Sequence, residues 1–65
     1  MPHRADPFLE PGAMVRHPGA ADWGLGQVQS VAGARVTVNF EHAGKQVIDC
    51  AVVRLIYVGD DPRVL

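Results

Sequence analysis

Arg35-Val36-Thr37-Val38-Asn39-Phe40 alternates polar and apolar residues without a slip. A side-chain period of two places Val36, Val38 and Phe40 on one face of a strand and Arg35, Thr37 and Asn39 on the other. This is a half-buried strand of a small antiparallel sheet. Upstream, Ala13–His17 forms a first strand, with Val15 inward and Met14 and Arg16 outward. Gln27–Val31 is the second. Its apolar residues, Val28 and Val31, stand three apart instead of two, so the strand carries an extra residue. Such a bulge bends a sheet in the way a small barrel needs for closure. Ala32-Gly33-Ala34 turns the chain into the Arg35–Phe40 strand.

Glu41-His42-Ala43-Gly44 is a hairpin loop, with Gly44 available for a positive φ. Lys45–Cys50 is the fourth strand, in which Val47 and Ile48 compete for the inward position. The β-branched density of Ala51–Val58 favours a tight turn over Ala51–Val53 and a last strand, Leu55–Val58, over a helix. Gly59-Asp60-Asp61-Pro62 is a stop signal. Short strands punctuated by Gly-rich turns predict an all-β fold, a small five-stranded antiparallel barrel. The barrel is expected over residues 11–58. It is preceded by a flexible arm at 1–10, where Pro2 and Pro7, with Pro11 just beyond, disfavour ladders and Phe8 and Leu9 are free to tuck back. A frayed tail over 59–65 follows.

Composition narrows the function. The chain has 65 residues, enough for one domain with a net stability of only ~3–5 kcal/mol. Cys50 is the one cysteine, so neither a disulfide nor a thiolate zinc site is available, and it reads as a small buried apolar residue. There is no basic-then-apolar leader and no apolar run of membrane-spanning length, so the expectation is a cytoplasmic protein. Net charge is −1, from six Lys/Arg against seven Asp/Glu, and the cations are scattered singly. That balance argues for weak unspecific nucleic-acid affinity.

Catalysis finds no footing. Ser30 and Cys50 have no identifiable base, so no enzyme is expected. Gly24-Leu25-Gly26 lacks the third glycine, the Lys-Ser/Thr pair and the helix of a phosphate loop, and instead permits a tight turn and close backbone approach. His3, His17 and His42 are spread without metal-ligand spacing, so neither metal nor cofactor is expected and chelators should leave the fold intact. His17 shares the parity of Val15 and reads as an inward histidine bonded to a loop carbonyl. Phe8, Trp23, Phe40 and Tyr57 are too few to build a methyl-lysine cage.

The order Pro11-Gly12, Val15, His17, Gly24, Gly26, Val28, Val38, Phe40 and Gly44-Lys45 resembles the C-terminal Tudor-like module of bacterial UvrD/PcrA-type repair helicases. It also resembles RNA-polymerase-interacting domains of the CarD type and of transcription-repair coupling factor. It is similar, too, to short free-standing bacterial proteins of unknown function built from this module alone. The likeness spans about Glu10 to Tyr57. One departure is the link between His17 and Gly24: six residues ending in Trp23, where the helicase module has a shorter link ending in phenylalanine. The resemblance implies a Tudor/SH3-like barrel and a non-catalytic adaptor that docks on RNA polymerase, through its β subunit, or on a repair helicase.

The residues singled out for partner binding are Trp23, Arg16, Arg35 and Lys45. Trp23 reads either as an exposed anchor or as a plug over one barrel end. Arg16, Arg35 and Lys45, with Thr37 and Asn39, form either a solvated outer face or a modest recognition face. A nucleic-acid-binding barrel and a regulatory or structural subunit are the alternatives to a protein-interaction module.

Overall fold

A computed structural model describes residues 9–60. The arm upstream of Leu9, with Phe8, and the tail beyond Asp60 lie outside the described residues. Five strands form one antiparallel sheet: β1 (Ala13–Arg16), β2 (Gly26–Ala32), β3 (Arg35–Phe40), β4 (Gly44–Asp49) and β5 (Ile56–Asp60). Their order is β4-β3-β2-β1-β5, so β1 to β4 form a meander and the last strand returns to pair with the first. The sheet is not closed; β4 and β5 are its two edges. The only helical element among the described residues is a short 3-10 turn, η1 (Ala21–Trp23), between β1 and β2.

The alternation of β3 sets the core. Val36, Val38 and Phe40 are buried, together with Ala13 and Val15 from β1, Val28 from β2 and Ile48 from β4. Leu9 and Leu55 close the cluster from outside the strands, Leu9 by tucking back onto the sheet as its apolar side chain allows. The choice on β4 falls to Ile48, which is 6% exposed, while Val47 is 63% exposed. β3 pairs with β4 in one unbroken register from Arg35↔Asp49 to Phe40↔Gly44.

The bulge read from the Val28/Val31 spacing is present. Pairing passes from Val28↔Val38 to Ser30↔Thr37, leaving Gln29 as the extra residue. The slip returns Val31 to a position opposite Val36, at the rim, where it stays exposed. The turn into β3 is Gly33-Ala34, with Gly33 at φ +61° as the first central residue, the placement a two-residue type II′ hairpin uses.

β5 departs from expectation. It begins one residue later than Leu55 and continues through Gly59 and Asp60, which pair with Met14 and Ala13. The turn propensity of Gly59-Asp60 yields to a ladder that satisfies the other side of β1. A second bulge lies here: Val15 and Met14 are consecutive, but their partners are Tyr57 and Gly59, leaving Val58 unpaired with β1.

Candidate functional site

Trp23 is positioned by a run of short hydrogen bonds. His17 ends β1, and Ala20 N–H donates to its carbonyl at 3.3 Å; Trp23 N–H donates to Ala20 at 3.0 Å, forming η1. Gly24 leaves the turn at φ +77°, a conformation that favours glycine. The chain is then held against the β3–β4 hairpin. His42 N–H donates to Trp23 O at 3.0 Å, Glu41 N–H to Leu25 O at 2.9 Å, and Leu25 N–H to Glu41 Oε1 at 2.8 Å. The last is a charge-assisted bond, stronger than its neutral equivalent.

The side chain that results is half-buried. The Trp23 ring stands edge-on to Phe40, centroids 5.1 Å apart at 61°, and tilts against His17 at 4.9 Å and 57°. Edge-to-face pairs add ~0.5–1.5 kcal/mol beyond their buried area. Trp23 therefore covers Phe40 at one end of the sheet, in a pinned turn and not in a slack loop. His17 is satisfied differently from the sequence expectation. Its Nδ1 accepts from Gly19 N–H at 3.0 Å instead of the ring donating to a carbonyl, which places the proton of the neutral ring on Nε2.

Arg16, Arg35 and Lys45 are all exposed and lie on the outer face, on β1, β3 and β4. They do not converge. Arg35 pairs with Ala32 and Asp49 at one end of β3, and Lys45 pairs with Asn39 near the other, about 13 Å away at strand spacing. Trp23 packs on the core side, so the four residues make no single patch.

Two edges remain. β4 is regular and carries Lys45, Val47 and Asp49 outward. β5 carries three consecutive exposed apolar residues, Ile56, Tyr57 and Val58. Ile56 sits opposite Arg16, the residue before His17, so β5 starts beside the turn that holds Trp23. The uninterrupted Ile-Tyr-Val run, where a half-buried strand would alternate, is the sequence signal for this surface.

Cys50 is half-buried against the core. Burial, and then the neighbouring Asp49 carboxylate, push its thiol pKa above the ordinary value, while a hydrogen bond from the Leu55 backbone pulls the other way. Among the described residues no group of three or more His, Cys, Asp and Glu side chains comes together to hold a metal ion. None of the described helices is long and apolar enough to cross a membrane.

No curated protein and no solved structure matches this chain. A family model does match, over residues 9–58, the span from the buried Leu9 to the β5 bulge. The chain belongs to the family described as "Protein of unknown function (DUF3553)".

Proposed function

We propose that this chain is a non-catalytic, cytoplasmic protein-interaction module that binds its partner along β5. The observation that carries this reading is the exposed Ile56-Tyr57-Val58 run on an edge strand. Edge strands are ordinarily guarded by charge, and a solvated apolar run on one is a contact surface. The Val58 bulge breaks the regular ladder, so side chains supply more of the contact here than main-chain pairing. Trp23 adds an amphipathic ring at the near end. By the resemblance to helicase and CarD-type modules, the first partner to test is the RNA polymerase β subunit, in transcription or its coupling to DNA repair.

The nucleic-acid reading is weaker. The outer-face cations stand apart, and Asp49 lies directly opposite Arg35. Titrating labelled protein with a β-subunit fragment tests the proposal. Micromolar binding is expected, weakened about thirtyfold by Ile56→Asp, equivalent to the ~2 kcal/mol of a hot spot. No binding at high micromolar concentration removes the polymerase assignment. A salt-dependent shift on DNA without protein binding replaces it with the nucleic-acid reading.

A further inference from the structure

We infer that β4 is a self-pairing edge: two copies of this chain associate antiparallel through it, about a two-fold axis at Val47. The inference is independent of the partner reading for β5. It begins from which main-chain groups of β4 are committed. Cys50 N–H donates to Ala34 O at 2.7 Å, continuing the β3–β4 register. In an antiparallel ladder hydrogen-bonded and non-hydrogen-bonded pairs alternate. Gly44, Gln46 and Ile48 therefore direct their N–H and C=O groups to β3. Lys45 and Val47 direct theirs to the open edge, where the described sheet offers no strand, and so does the Asp49 N–H; Asp49 C=O accepts from Val52 N–H at 3.0 Å and Val53 N–H at 2.9 Å.

The same three residues carry the outward side chains, and all three are exposed. A two-fold axis perpendicular to the sheet keeps the outer faces of both copies on one side, so outward residues meet outward residues. With Val47 opposite Val47 of the second copy, Lys45 falls opposite Asp49 and Asp49 opposite Lys45. In this register the two Val47 residues exchange N–H···O=C bonds across the axis and each Asp49 N–H meets the Lys45 carbonyl of the second copy, while Asp49 C=O stays with the turn that follows β4, accepting from Val52 and Val53 N–H. Shifting the axis to Gln46 sets Lys45 against Val47, and shifting it to Ile48 sets Asp49 against Val47; only the Val47 axis pairs opposite charges. Cross-strand pairs of opposite charge and of β-branched residues are the favourable ones.

The geometry also explains the edge chemistry. Asp49 would lie between Arg35 of its own β3 and Lys45 of the second copy. β4 has no proline and no bulge, the devices that usually block such pairing. The charges that guard this edge against other strands are complementary to the edge itself.

Edge-only contacts are small, so the dimer is expected to be weak and concentration-dependent. Sedimentation equilibrium from micromolar to millimolar protein, with amide hydrogen exchange on the same samples, tests it. Dimer is expected at the upper end, with protection of the Val47 and Asp49 amides rising with concentration. Val47→Lys places like charges on the axis, and Lys45→Glu sets a carboxylate against Asp49. Each should weaken association at least tenfold; both side chains are exposed, so the monomer fold is retained. Ile56→Asp, on the other edge, should leave association unchanged. A monomer throughout the range, a dimer indifferent to Val47→Lys, or a dimer lost in Ile56→Asp would each overturn the inference.

Discussion

Gly26 and Phe40 face each other across β2 and β3, and the phenyl ring fills the space a side chain at Gly26 would need. A Cβ there would lie 2.7 Å from Cδ1 and Cε1 of Phe40 and 2.5 Å from Cγ1 of Val38. Gly26→Ala must therefore push β2 off the core. Overpacking of this kind costs ~1–3 kcal/mol. The urea midpoint should fall accordingly, and an unchanged midpoint would show that the sheet absorbs a methyl at this position.

Phe40→Ala is expected to leave the chain largely unfolded. Truncating a buried phenylalanine costs ~3–5 kcal/mol, as much as a chain of this size has in total. It also removes the surface on which Trp23 rests. Loss of the cooperative thermal transition, with tryptophan emission shifted to that of a solvated indole, is the expected observation.

Gly24 and Gly33 both hold positive φ, at +77° and +61°, but in different surroundings. A Cβ on Gly33 meets nothing within 4 Å, whereas one on Gly24 lies 2.8 Å from Cδ2 of His42. Gly33→Ala should cost only the ~1–3 kcal/mol of a non-glycine residue held at a glycine-favouring turn position. Gly24→Ala should cost more and should red-shift Trp23 emission, because the turn is lifted from the β3–β4 hairpin. Equal melting curves for the two variants would show that the turn is not clamped there.

Cys50 gives the fold an alkaline weakness. Its folded pKa is raised, so below the ordinary value of 9.0 both folded and unfolded thiols are protonated and the residue adds no pH dependence. Above it the unfolded thiol ionises first, and stability falls as pH rises towards the folded value. Thermal melts at about pH 8 and about pH 10 should show a larger drop for wild type than for Cys50→Ala. Parallel pH profiles would show that the thiol is not perturbed.

The core was legible where the period was strict. Val36, Val38 and Phe40 alternate within one uninterrupted strand, and the Val28/Val31 spacing encoded the bulge. On β4 the period is ambiguous, because Val47 and Ile48 are adjacent and equally apolar; the register with β3 decides between them. The end of β5 was hidden for another reason. Gly59 and Asp60 favour turns locally, but β1 offers them a long-range ladder that no local pattern reports. The site was less legible than the fold. Trp23 stood out by size, yet its contact with Phe40 joins residues far apart in sequence, and its contact with His17 depends on the path of the turn between them. Glu41, which accepts the Leu25 N–H, reads in sequence only as a loop acid.

The strand order has a consequence for how the chain comes to be folded. β2, β3 and β4 are consecutive hairpins, and each can pair as soon as its neighbour exists. β1 sits between β2 and β5, so half of its ladder waits for the last of the five strands to be synthesised. While β5 is still inside the ribosome, Ala13 to Arg16 present a bare flank and the core lacks Leu55. Long-range closure of this sort is the slow step of a small β fold. The nascent chain should therefore stay protease-sensitive until β5 has cleared the exit tunnel.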